Sequence, residues 1–167
     1  MAIQPILRYP DPGLRLRAAP VTAFGAPLEA LAADLLETLR AAPGIGVAAT
    51  HVGVLLRLVI LDLPDQGGPE YYVNPVVTHA SAELARHEEG SVSMPGVVAE
   101  VERPARVCVA YQDLSGEARS IDADGLRAVC LQHEIDQLDG VFWLQKLSRL
   151  KREMAVKRFE KLRRASF

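Results

Sequence analysis

Leu28, Leu31, Leu35 and Leu39 recur at steps of three and four, with Glu29, Asp34 and Glu37 at other positions. That spacing predicts an amphipathic helix opening at Pro27 and ending at Pro43-Gly44. The preceding segment, Met1 to Thr22, is punctuated by proline and glycine (YPDPG) and reads as an extended arm. Gly44 to Gly53 (GIGVAATHVG) reads as a small-residue loop. Leu55 to Leu63 is a run of branched apolar residues, the pattern of a buried strand, and Pro64 to Pro69 (PDQGGP) is a surface turn. Tyr71–Val77, Val97–Val101 and Ala105–Tyr111 read as strands, and Glu83–Glu89 is ambiguous. Asp113–Gly116 is a hairpin turn into a further strand, Glu117–Ile121. Asp122 or Asp124 then caps a helix running to about Leu138, which Gly140 closes. Short apolar Val141–Leu144 precedes a last, basic helix. One helix, several strands and two helices in that order make an α+β fold rather than alternating βαβ units.

The length of 167 residues fits a single domain, 1–167, able to bury its core without a staple. Every apolar run is interrupted, as Val52–Leu56 is by Arg57, so no membrane span or signal peptide is expected. Cys108 and Cys130 form no CxxC pair and sit among apolar residues, which predicts two buried, reduced thiols and a cytoplasmic location. The net charge of −2 hides an asymmetry: Lys146 to Phe167 holds nine basic and two acidic residues, +7, and the rest carries −9. The charge of Lys146–Arg164 suits RNA phosphates, with Leu147, Leu150, Met154 and Leu162 expected on the inner side of the helix. No aromatic pattern accompanies it, so base-specific readout and sequence-specific DNA binding are not implied.

Chemistry concentrates in three segments. On a helix, Leu126, Val129, Cys130, His133 and Gln137 share one face. His133-Glu134-Ile135-Asp136-Gln137 is an HExxH pattern without its second histidine. Taken alone it is a weak signal, and a core-edge histidine satisfied by a neighbour is the stronger reading of it. Glu88 to Gly96 (EEGSVSMPG) is a shaped loop or strand edge whose serines lack a nucleophile elbow. In GIGVAATHVG, Gly44 and Gly46 permit positive φ and close approach, and His51 is the one group able to donate, accept or ligate.

In this order the segments resemble the motifs of peptide deformylase, GxGxAAxQ, EGCxS and HExDH. Here they stand as Gly44–His51, Glu89-Gly90-Ser91-Val92-Ser93 and His133–Gln137. The likeness extends to Ile6–Pro12, Val73-Asn74-Pro75, Glu102–Val107, Ala123–Leu126 and Leu147–Leu150, essentially the whole chain. The resemblance implies mixed, mainly antiparallel sheets around a central helix that carries the third motif, with helices at both ends. It implies removal of the N-formyl group from the initiator methionine of nascent chains by a divalent iron, zinc, nickel or cobalt ion. Carried over by position, the metal ligands fall on Ser91, His133 and Gln137, the proton-handling glutamate on Glu134, and the oxyanion donors on His51 and the Val92 amide. Gly46 and Ile45 fall at the substrate cleft with Met94-Pro95-Gly96, and Glu89 pairs with Arg103. A terminal helix of this family can dock beside the nascent-chain exit of the ribosome.

The departures change what is expected. A thiolate and an imidazole are replaced by a hydroxyl and an amide, both poorer donors to zinc or ferrous iron. Without the ion, water keeps a pKa of about 16 instead of about 7, and a general base alone supplies only ~10²–10⁴-fold. The sequence therefore predicts an impaired or inactive member with no cofactor expected at those positions. Two alternatives stand beside it: an altered hydrolase using His51, His133 and Glu134, and a ribosome or nascent-peptide binding module using the basic helix.

Overall fold

The computed structural model describes residues 2–64 and 66–166. Helix α1 (Ala26–Ala41) leads into β1 (Gly46–Ala48), a 3₁₀ turn at Ala49–Val52, β2 (Leu58–Leu61) and β3 (Glu70–Ala80). The hairpin β4 (Leu84–Ser91) and β5 (Met94–Pro104) follows, then β6 (Arg106–Gln112), β7 (Ala118–Asp124), α2 (Gly125–Leu138) and α3 (Arg149–Ala165). Five strands form one sheet in the order β1-β2-β3-β6-β7, and β4 and β5 form a second. All of these pairings are antiparallel. The fold is α+β, as the order of the patterns implied.

The burial of β2 explains the layering. Leu58, Val59, Ile60 and Leu61 are all fully buried, so neither face of the strand meets water. Leu58 and Ile60 pack with Val47 against Leu28, Ala32, Leu35 and Leu39 of α1. Val59 and Leu61 pack with Ala48 and Val109 against Leu131, Ile135 and Leu138 of α2. Each such side chain contributes roughly 1.5–3 kcal/mol by leaving water, so α2 is held tightly against the sheet. A third core, with Met94, Val97, Val101, Trp143 and Phe159, joins the hairpin to the N-terminal arm and α3.

Several details differ from the sequence reading. The segment read as one loop at 44–53 contains β1 and the 3₁₀ turn, because Gly46, Val47 and Ala48 pair with β2. The ambiguous segment 83–89 is strand from Leu84 onward, with Arg86 and Glu88 exposed and Glu89 turned into the interior. Asp124 stands at the N-cap of α2 but its side chain makes no capping bond. Gly140 follows the helix with φ +78°, and a Cβ there would collide with the Arg15 carbonyl. In the turn after β2, Asp65 lies outside the described residues, as does Met1 in the arm. Cys130 is buried, whereas Cys108 is half-buried and donates to Asp122 at 2.9 Å, because β7 lies at the sheet edge.

The basic helix is seated differently from expectation. Ala155 and Phe159 face the core, Leu147 is buried ahead of the helix, and Leu150 and Met154 are 67% and 61% exposed. One turn separates Ala155 from Phe159, which fixes the inner stripe and turns Leu150 and Met154 outward. Leu162 is at the border, near enough to Gly96 that a Cβ there would touch it. Among the described residues no helix is long and apolar enough to cross a membrane.

Candidate functional site

Helix α2 brings His133 and Glu134 to the floor of a cleft of about 570 Å³. Its walls come from three directions: Gly44, Ile45 and Gly46 on the β1 side, Gly90, Ser91 and Val92 on the hairpin, and Leu126, Val129 and Cys130 on α2. Pro95 and Gly96 also line it, but Met94 is fully buried in the third core instead. Close approach, not positive φ, explains Gly44 and Gly46. A Cβ on Gly44 would sit 2.8 Å from Val92, and one on Gly46 3.0 Å from Leu61 and 3.5 Å from Glu134. Leu126, Val129 and Cys130 follow from steps of three and four along α2. Burial and the charges of Glu134 and Glu89 push the Cys130 thiol up to about 12, so it is an inert wall.

His133 is held from behind. Its Nδ1 lies 2.9 Å from Glu89 Oε1. Arg103 grips both oxygens of Glu89, Nε to Oε2 at 2.6 Å and Nη2 to Oε1 at 2.9 Å. A third guanidinium bond, Nη1 to Asp136 Oδ2 at 2.8 Å, ties the hairpin to α2. Burial alone would raise the Glu89 pKa, yet the bonds from His133 and Arg103 outweigh it and hold the carboxyl at about 2. Burial opposes protonation of His133, but the Glu89 hydrogen bond and the Glu134 charge overcome it and raise its pKa. The Glu89–Arg103 pair was legible in the sequence; its extension to Asp136 was not.

His51, read as a loop histidine, is fully buried. Ala48 N–H donates to its Nδ1 at 3.0 Å, so the neutral ring carries its proton on Nε2. Burial, then the neighbouring His133, push its pKa down to about 3. Its Nδ1 lies 3.6 Å from Glu134 Oε2, and His133 Nε2 lies 3.5 Å from Glu134 Oε1. Burial drives the Glu134 carboxyl up to about 7, a shift the His133 charge opposes. His51 Nε2 and Glu134 Oε2 have no hydrogen-bond partner among the described residues.

Ser91 and Gln137 do not join this group in the same way. Ser91 Oγ accepts the Ser93 N–H at 3.1 Å. Gln137 is buried, and its Nε2 donates to the Leu14 carbonyl at 2.7 Å. A carbonyl partner settles which end of the amide faces it, since only nitrogen can donate. The N-terminal arm also bonds to the site loops, Leu7 N to His51 O at 2.8 Å and Tyr9 N to Ser93 O at 2.9 Å. Arg8 Nη1 donates to Val92 O at 2.7 Å.

A glutamate-bearing helix packed on an antiparallel sheet, with Gly44 and Gly46 at the sheet edge lining a cleft above it, defines the α+β class of this protein. The polypeptide deformylase family model matches residues 3–153. A peptide deformylase-like protein from Brucella melitensis is 57% identical, covering 98% of this chain and 100% of its own length. A peptide deformylase from Brucella suis is 45% identical, covering 97% of this chain and 94% of its own. The crystal structure of a peptide deformylase from Legionella pneumophila superposes with a TM-score of 0.93 at 38% identity, covering 99% and 98% of the two chains. The chain belongs to the polypeptide deformylase family.

Proposed function

We infer that this chain keeps the peptide cleft of its family without the family's metal-dependent hydrolysis. The observation that carries the reading is the donor set itself: serine and glutamine, at positions 91 and 137, stand where the family resemblance places two of its three ligands. At the three positions where the family resemblance places ligands, one imidazole is left with a hydroxyl already engaged by Ser93 and the amide of Gln137. That donor set does not fit a divalent iron or zinc ion.

A metal-free acid–base pair of His51 and Glu134 is opposed by geometry. Their nearest atoms are 3.6 Å apart, and the Nδ1 lone pair already accepts the Ala48 N–H. The cleft itself supports binding. Ile45, Val92, Leu126 and Val129 give it apolar walls, the glycines of its rim let an extended backbone approach, and the family resemblance supplies methionine as the side chain to be held. The ligand class is an N-terminally blocked methionyl peptide.

Titration calorimetry with N-formyl-Met-Ala-Ser tests this. Saturable binding is expected, with the peptide recovered still formylated. Leu126→Arg, placed at the 44% exposed mouth of the cleft, should weaken it by ~10-fold or more, since a cationic head there meets an apolar ligand. Absence of binding by the folded parent would refute the ligand assignment.

A further inference from the structure

Three buried groups meet where the resemblance placed only one ligand. His51, His133 and Glu134 each offer a ligand atom, and these atoms all lie within 4.8 Å of one another. Each imidazole has its own Glu134 oxygen, His133 Nε2 3.5 Å from Oε1 and His51 Nδ1 3.6 Å from Oε2, each close to the spacing of neighbouring ligands around a tetrahedral ion. For bonds of about 2.0–2.1 Å that spacing is about 3.3–3.4 Å.

Two further observations point to a cation. Glu134 Oε2 is buried, has no hydrogen-bond partner among the described residues, and lies 3.6 Å from His51 Nδ1. A buried carboxylate oxygen without a partner calls for a proton or a cation. The orientation of His133 also suits a ligand, because Glu89 holds Nδ1, which directs the proton there and leaves Nε2 with its lone pair. Arg103 in turn fixes Glu89.

We propose that His51 Nδ1, His133 Nε2 and the Glu134 carboxylate form a divalent-cation site of zinc type, in place of the ligand positions 91 and 137. Two histidines and a glutamate are a known zinc-holding set. Binding takes the His51 lone pair from Ala48 N–H, and one backbone hydrogen bond is small beside three metal–ligand bonds. The site rests on the reading that Ser91 and Gln137 are not ligands. A Glu134 engaged as a ligand would not serve as a proton acceptor, in keeping with the proposed absence of hydrolysis.

Chelator-stripped protein titrated with zinc chloride against a chromophoric competitor tests the site. One zinc per chain is expected. His51→Gln should weaken binding by ~100-fold or more, as loss of a direct ligand exceeds the 10–100-fold loss typical of supporting groups. Ser91→Ala and Gln137→Ala should change it by less than about 3-fold. Glutamine at position 51 is the residue of the family motif, so that variant keeps its fold, checked by circular dichroism. No zinc binding by the parent, or binding indifferent to His51→Gln, overturns the proposal. Zinc lost on Ser91→Ala or Gln137→Ala would overturn the underlying reading as well.

Discussion

Replacing three residues together, Ser91→Cys, Gln137→His and His51→Gln, is expected to give a chain that holds one zinc or nickel ion and releases formate from N-formyl-Met-Ala-Ser. The gain should be large, ~10³-fold or more over the parent, because a bound ion lowers the pKa of water by about nine units. The thiolate adds a negative, soft donor and the imidazole a second nitrogen to the one at His133. The supporting groups already stand in place: Glu89 and Arg103 behind His133, and Glu134 on the floor of the cleft. The variant loses the Gln137–Leu14 hydrogen bond, worth about 1 kcal/mol, which metal binding far exceeds. His51→Gln removes the alternative ligand, so the ion's position is unambiguous. Cobalt substitution should show a thiolate-to-metal charge-transfer band absent from the parent. A folded triple variant that stays metal-free would show that positions 91 and 137 are not the ligand positions.

The second large effect concerns Arg103. It is 5% exposed, as is Glu89, and its three bonds join the hairpin to α2. Arg103→Met leaves a buried carboxylate with His133 as its one remaining side-chain partner, a loss of ~3–5 kcal/mol for removing half of a buried pair. Arg103→Lys should recover only part, since an ammonium cannot grip both oxygens of Glu89 and reach Asp136 as well. The sign of the pH dependence follows from Glu89, whose carboxyl falls from 4.5 to about 2 on folding. Its stabilisation is complete above about pH 4.5 and is lost as pH falls through about 2. Urea unfolding should therefore show the largest difference between parent and Arg103→Met near neutrality, shrinking below pH 4.5. A difference under about 1 kcal/mol at neutral pH would mean the pair behaves as a surface bridge.

The parts of this molecule legible from sequence are those set by local period. The leucines of α1 placed its helix to within a residue or two, and Gly140 marked the end of α2. The wall formed by Leu126, Val129 and Cys130 follows from helical spacing alone. What could not be read was decided by contacts distant along the chain. Gln137 answers to the Leu14 carbonyl, 123 positions away. His51 is buried because the arm's Leu7 bonds to its carbonyl and α2 lies over its ring, neither of which a small-residue segment announces. Leu150 and Met154 have the spacing of core positions, yet the stripe that packs is set by Ala155 and Phe159. A helix with apolar residues on more than one side carries no local record of which side is covered.

The direct test is formate release from N-formyl-Met-Ala-Ser by the unaltered chain, supplied in turn with ferrous, nickel and zinc ions. Release indistinguishable from that of Glu134→Ala is the predicted result. Formate produced in proportion to protein and abolished by Glu134→Ala would contradict it.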